Sequence, residues 1–247
     1  MKVFLVNLIH KQDRYLHMAG ELRRCGVEYE RIPAVYGKDL TETELARSFS
    51  AFHSYCACGR KLTLGEIGCA LSHLSVYRRM IEENIAVATV LEDDILLEEC
   101  FNERCSDICS RMDRGKPQVV VLSAYKFDGG NEIGIVRNKW AMCTDGYIIT
   151  LPAAKKIYRH NFPVVTVADD WHRWNWMAGI ETYTCWPPIV RQDNARFGTD
   201  VNASTRKKFT GCGRLLHKMV RGSQFAMDLI ISVWKYGIRD RRKINRY

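Results

Sequence analysis

A run of β-prone apolar residues, Ala86-Val87-Ala88-Thr89-Val90-Leu91, ends abruptly in three consecutive carboxylates, Glu92-Asp93-Asp94, before Ile95. The run has no polar alternation, so it predicts a strand buried on both faces, as in a parallel sheet with helices on either side. Three adjacent acids do not survive in such an interior unpaired, because burying even one lone charge is very costly. They are therefore expected at the carboxyl end of the strand, where α/β sheets collect ligands. Hard oxygen ligands there suit Mg²⁺ or Mn²⁺. A solvated acidic turn, or a helix N-terminus that attracts Asp and Glu, explains the triplet equally well.

The rest of the chain supplies the partners such a strand needs. Residues 2–9 predict a first strand with Asn7 near its end, 15–25 a helix closed by Gly26, and 27–34 a second strand with Pro33 at its exit. This order predicts a right-handed parallel unit. It places Asn7 and Arg14 in or near the loop at the carboxyl end of the first strand. A guanidinium there suits bidentate phosphate binding, and an exposed arginine at a helix start is the plain alternative. Residues 37–62 look irregular, with a short helix at 41–49. Thr63-Leu64-Gly65-Glu66 is a capping box opening a helix that runs to about Glu83, with Asn84 as terminator. Ile67, Ala70, Leu71, Leu74 and Met80 form its apolar stripe, and it also carries Ser72 and His73. A further helix is expected over 97–112, a strand over 118–123, a glycine-bearing loop over 125–138, and one broken or two short strands over 140–151. Ala153 to His160 then forms a helix with Pro152 at its start.

A second acidic pair, Asp169-Asp170, follows the short apolar run 164–167, which reads as a buried strand, and precedes Trp171, His172, Arg173 and Trp174. Acids beside aromatic rings suit sugar recognition, because rings stack on the apolar faces of sugars; either acid also suits the N-cap of a helix through Met177. One division of labour puts a metal at the first cluster and a general base at the second. A divalent ion neutralises charge building on a leaving diphosphate, and a carboxylate takes the proton of an acceptor hydroxyl. This equipment serves nucleotide-sugar-dependent glycosyl transfer. It serves a metal-dependent phosphoryl or nucleotidyl transferase as well, and a non-catalytic sugar-binding protein is the third class. No Walker A sequence, helix-opening GxGxxG or G-x-S-x-G elbow is present.

Four stretches together resemble glycosyltransferase family 25, the lipooligosaccharide-biosynthesis glycosyltransferases. They are Val6-Asn7-Leu8 with Asp13-Arg14, Leu64-Gly65-Glu66-Ile67-Gly68-Cys69-Ala70-Leu71-Ser72-His73, Val90-Leu91-Glu92-Asp93-Asp94-Ile95, and Gly146-Tyr147-Ile148-Ile149 leading to Ala153-Ala154-Lys155-Lys156. Ile32-Pro33-Ala34-Val35-Tyr36-Gly37 adds the exit of the second strand. The resemblance covers roughly residues 2–195. It implies a GT-A-like, Rossmann-like α/β fold with a mixed, mostly parallel sheet. It also implies a nucleotide-sugar donor, commonly UDP-galactose, Mn²⁺ or Mg²⁺, inversion at the anomeric carbon, and a lipooligosaccharide acceptor. Glu92 and Asp94 are then the metal ligands, with Asp93 on the nucleotide. Asn7, Arg14, Ala34, Ser72 and His73 belong to the donor pocket, and Asp169 and Asp170 carry base or acceptor binding. His53-Ser54-Tyr55-Cys56-Ala57-Cys58 departs from the family's pattern.

With 247 residues, the chain has room for one α/β domain and an appendage. Ten cysteines include no CxxC pairs at structural-zinc spacing, and several sit singly in apolar stretches, so a disulfide or zinc scaffold is not expected. The charge is uneven: residues 206–247 hold twelve Lys/Arg and two Asp/Glu, whereas the preceding 205 residues nearly balance. A catalytic domain over 1–205 and a basic amphipathic tail over 206–247 follow. In the tail, Met227, Ile230, Ile231, Trp234 and Ile238 fall on one helical face. Residues 211–247 suit an anionic membrane surface, packing on the domain, or, less well without a recognised motif, nucleic acid. No signal peptide or bilayer-spanning stretch is visible in the sequence, so the expected location is cytoplasmic, peripheral on the inner face of a bacterial inner membrane.

Overall fold

The computed structural model describes residues 1–125, 127–130 and 133–197. The expected basic tail therefore lies outside the described residues. A seven-stranded sheet forms the centre. Its strands are β1 (Lys2–Asn7), β2 (Glu30–Pro33), β3 (Val87–Leu91), β5 (Gln118–Val121), β6 (Gly134–Arg137), β7 (Gly146–Thr150) and β8 (Glu181–Trp186). Their spatial order is β2-β1-β3-β7-β5-β8-β6. β1 pairs in parallel with β2 and β3, and β5 in parallel with β8. β7 runs antiparallel between β3 and β5, and β6 is an antiparallel edge on β8. The mixed, mostly parallel sheet flanked by helices is thus the architecture the sequence implies.

Both faces of the sheet are covered, which is why β3 tolerates no polar alternation. Ala88 and Val90 pack into one core with Ile67, Leu74, Tyr77, Ala153 and Trp171. Leu91 packs into the other with Met18, Leu22, Phe101 and Ile108. The first face is covered by α4 (Leu64–Glu82), α6 (Leu151–Asn161) and α7 (Trp171–Ala178); the second by α1 (Gln12–Arg24) and α5 (Phe101–Arg111). The capping box of α4 forms as expected: Thr63 accepts from the Glu66 N–H while the Glu66 carboxylate accepts from the Thr63 N–H. The same carboxylate takes two 2.7 Å bonds from Arg60, so the helix start is pinned by a bidentate ion pair. Asn84 closes the helix at φ 52°, the left-handed conformation expected of it.

Several local expectations are corrected. In the irregular segment the expected short helix forms as α2 (Glu42–Ser48), but a 3₁₀ turn at Gly37–Asp39 precedes it and an unforeseen α3 (Ala51–Cys58) follows. Leu97 does not open a helix. It ends β4 (Ile95–Leu97), which pairs antiparallel with β9 (Val190–Gln192). The expected loop over 125–138 contains β6, whose short alternating exposure is that of an edge. Residues 164–167 form no strand; Val164 makes a single bridge to Phe49. All nine cysteines among the described residues are free thiols. No helix among the described residues is long and apolar enough to cross a membrane.

Candidate active site

Parallel pairing aligns the carboxyl ends of β1 and β3, which brings Asn7 beside the acidic triplet. Because β7 runs the other way, its start lies at that same edge: Leu91 is in register with Gly146, and the Glu92 N–H donates to the Asp145 carbonyl at 2.9 Å. β4 leaves the triplet to pair with β9, and the Asp193 N–H donates to the Asp94 carbonyl at 2.8 Å. The backbone carrying Glu92, Asp93 and Asp94 is therefore held on both sides. The acids open into a cleft of about 320 Å³, whose walls also carry Asp145 and Asp169.

Asp93 is fully engaged. Asn7 Nδ2 donates to its Oδ2 at 2.5 Å and Arg14 donates to its Oδ1 at 3.1 Å. Arg14, Met18 and Leu22 share the buried face of α1, and Arg14 is the member nearest the sheet edge. Its guanidinium also reaches Asp94 Oδ2 at 3.4 Å. At 8% exposure it is not the solvated helix-start arginine of the plain alternative. Burial pushes the Asp93 carboxyl up, and the Asn7 and Arg14 bonds oppose that rise.

Glu92 accepts at Oε1 from Thr144 Oγ1 at 2.5 Å and lies 3.1 Å from His73 Nε2. Burial alone would raise its carboxyl; the His73 and Thr144 bonds win and hold it below its ordinary value. Cys69, His73 and Tyr77 are successive fourth residues of α4. His73 Nδ1 lies 2.8 Å from the Tyr147 hydroxyl, which lies 2.9 Å from that of Tyr77. A buried polar chain thus runs from Glu92 into the core.

Asp94 is the least satisfied member. Its Oδ1 is buried without a hydrogen-bond partner. Burial, reinforced by Glu92 and opposed by Arg14, pushes its carboxyl up to about 7. Asp145 is pushed up to about 6, again by burial first and Glu92 second. So much carboxylate character around an orphaned buried oxygen fits a hard divalent cation. Cys69, His73 and Glu92 also bring donor atoms within 4.8 Å of one another. That group suits a metal less well, because both His73 nitrogens are already engaged and burial pushes the Cys69 thiol well above its ordinary range. Asp94, with Glu92 and Asp145 beside it, is the better match to Mn²⁺ or Mg²⁺.

The second acidic pair divides. Asp169 lines the cleft and accepts from the Cys143 N–H at 3.4 Å; burial pushes its carboxyl up, with Asp170 adding to the rise. Asp170 is not on the cleft wall. Its Oδ2 accepts from Thr166 Oγ1 and Arg173 Nε, both at 2.8 Å, and Arg173 is tied onward to the Ala57 carbonyl. It occupies the N-cap position of α7 without a side-chain cap bond. Trp171 and Trp174, expected as stacking rings, are buried in the core and are absent from the cleft wall. Ser72 and Ala34 line the cleft, but their polar groups face the protein. The Ser72 hydroxyl accepts from the Val35 N–H at 2.8 Å and donates to the Gly68 carbonyl at 2.7 Å, and the Ala34 N–H donates to the Asn7 carbonyl at 2.9 Å. They fix the loop after β2 against α4, where Gly37 and Gly68 pack backbone on backbone.

Asp145 and Thr144 escape the sequence reasoning. Asp145-Gly146 looks like a turn, and only the antiparallel run of β7 brings it to the edge that holds the triplet.

Residues 1–131 match the family described as "Glycosyltransferase family 25 (LPS biosynthesis protein)". Procollagen galactosyltransferase 1-A of Xenopus laevis is 33% identical over 168 residues, covering 63% of this chain and 28% of that protein. Procollagen galactosyltransferase 2 of Homo sapiens is 29% identical over 173 residues, covering 65% and 28%. The chain spans about 28% of the length of these relatives. Among solved structures, a glycosyltransferase involved in glycosylating the major capsid of PBCV-1 aligns at TM-score 0.41 and 7% identity, covering 90% of this chain and 98% of that one. The match over residues 1–131 takes in β1 to β5, with the triplet, Arg14 and the capped α4. The chain belongs to glycosyltransferase family 25.

Proposed function

We propose that this chain transfers galactose from UDP-galactose to a hydroxyl of a lipooligosaccharide core saccharide, with inversion at the anomeric carbon. The observation that carries this is the meeting in one cleft of Asp169 with the Glu92, Asp93 and Asp94 edge. The names of the animal relatives support galactose as the sugar, and the family description supports a lipopolysaccharide-type acceptor.

In this mechanism Asp93, pinned by Asn7 and Arg14, forms the nucleotide side of the cleft. Ser72, Ala34 and His73 hold its walls in place. Asp169 accepts the proton of the acceptor hydroxyl; burial raises its affinity for protons, which makes it a stronger base than a solvated carboxylate. The acceptor oxygen bonds to the anomeric carbon as the bond from that carbon to the diphosphate oxygen breaks, and the electron pair leaves with UDP. Mn²⁺ or Mg²⁺ held by Asp94 and Glu92 would neutralise charge on the departing diphosphate. Asp170 serves through Arg173 and α3, as a support rather than a base.

A screen of UDP-, GDP- and CMP-sugars for divalent-dependent donor hydrolysis tests the proposal. UDP and free galactose are expected from UDP-galactose. Pyrophosphate release would mark a nucleotidyl transferase instead, and galactosylation of procollagen peptides without saccharide transfer would move the acceptor to collagen-like chains. The membrane role of residues 211–247 rests on their basic, amphipathic sequence. Unchanged association with anionic liposomes after their deletion would remove it.

A further inference from the structure

The polar cleft accounts for Asp169 and Cys143 but not for what stands beside them. The segment 138–145 and the start of α7 are stitched together. The Cys143 N–H donates to Asp169, and the Trp171 indole N–H donates to the Cys143 carbonyl at 2.8 Å. Three residues before Cys143 stands Trp140, and three after Asp169 stands His172. Their rings are stacked, 4.0 Å between centroids and 10° from parallel. The stack is held from below. The Trp140 N–H donates to Asn138 Oδ1 at 2.9 Å, and Asn138 Nδ2 donates to Thr184 of β8, also at 2.9 Å. Ala141 is buried, yet Trp140 beside it remains 57% exposed and Met142 43% exposed.

An indole left in water at this level contributes little to stability, because its area does so only when covered. Stacking on His172 covers one face and stiffens the ring, which lowers the ordering cost of a ligand on the other. The neighbouring carboxylates exclude a purely apolar partner. A pyranose fits both demands: its C–H face lies on the indole while its hydroxyls meet water and acid.

We propose that Trp140, backed by His172, is the platform for the acceptor sugar ring, placing a hydroxyl toward Asp169. This rests on the glycosyl-transfer proposal above and names the acceptor subsite within it. The occupant is a hexopyranose presenting an axial-hydrogen face, and the bond between Cys143 and Asp169, both on the cleft wall, ties the segments that carry the platform to the cleft.

The test uses the full chain and saturation-transfer NMR with methyl β-D-galactoside and methyl β-D-glucoside, alongside UDP-galactose hydrolysis without acceptor. The expected result is saturation strongest at the C–H face protons of at least one glycoside. It should fall at least fivefold in Trp140→Ala and persist in Trp140→Phe, with donor hydrolysis within twofold of the parent in both. Equal saturation in Trp140→Ala, or none in the parent, overturns the platform. Donor hydrolysis absent from the parent while the Trp140-dependent saturation persists overturns the transfer proposal and upholds the platform as a sugar site.

Discussion

Replacing Asp94 with Asn should stabilise the metal-free protein while abolishing its response to a divalent cation. The Asp94 carboxyl titrates at about 7 in the folded chain against an ordinary 3.8, chiefly through burial. Between those values the folded state holds a proton that the unfolded state does not. The Asp94 contribution to stability therefore falls as pH rises from about 4 to about 7 and is flat above. Roughly three pKa units correspond to about 4 kcal/mol, and relaxation with water entry into an open cleft brings this to roughly 2–4 kcal/mol. The isosteric amide removes the charge and hence the penalty. At pH 8 with EDTA, the melting temperature of Asp94→Asn should exceed that of the parent by roughly 4–16 °C. Mn²⁺ should raise the parent's melting temperature by mass action and leave the variant's unchanged. In the variant, a loss of stability with rising pH remains from Asp145, pushed up to about 6, and from Asp93 and Asp169, which burial also raises. A variant less stable than the parent at pH 8 in EDTA, or one that Mn²⁺ stabilises equally, would refute the placement of the metal at Asp94.

Three further outcomes separate support from chemistry. Glu66→Ala breaks the cap of α4 and strands the Arg60 guanidinium, so urea denaturation should show a loss of roughly 3 kcal/mol, against roughly 1 kcal/mol for Thr63→Ala; equal small losses would deny the ion pair its role. A Cβ at Gly68 would lie 2.6 Å from the Val35 carbonyl and 2.7 Å from the Gly37 nitrogen. Gly68→Ala should displace that cleft wall and cost up to about 10²-fold in kcat/KM, with intact cooperative unfolding; unchanged kinetics would show the wall is not used. Asp169→Asn should lower kcat by roughly 10²–10⁴-fold, whereas Asp170→Asn should act mainly on stability through Arg173. The reverse pattern in paired kinetic and melting measurements would exchange their roles.

The buried strand with its terminal acids was legible because two local rules agree: continuous apolar residues demand cover on both faces, and carboxylates demand an edge. The α4 capping box was legible for a similar reason, since Thr63 and Glu66 are three residues apart and need no tertiary information. Arg14 reads from sequence as a phosphate ligand near the end of β1 or as a solvated helix-start residue; its carboxylate partners Asp93 and Asp94 depend on parallel register between β1 and β3, which no local spacing encodes. Asp145 was hidden because its importance comes from the direction of β7, and Asp-Gly by itself is a turn signal. Asp169 and Asp170 are adjacent and chemically identical; only the path from Thr166 to Arg173 decides which one turns inward. The strands ending at Leu97 and spanning 134–137 are not legible in the sequence, because strands of three or four residues carry too little period to distinguish from a helix start or a loop. Trp171 and Trp174 lie among polar neighbours in sequence, and their burial arises from packing of α7 against α6 and Tyr147.

The most direct measurement is release of UDP from UDP-galactose by the parent and by Asp94→Asn, with Mn²⁺ present and after EDTA. UDP release from the parent that requires Mn²⁺ and is lost in Asp94→Asn is the predicted result. Release that survives EDTA, release undiminished in Asp94→Asn, or pyrophosphate in place of UDP would contradict a metal-assisted sugar transfer at this edge.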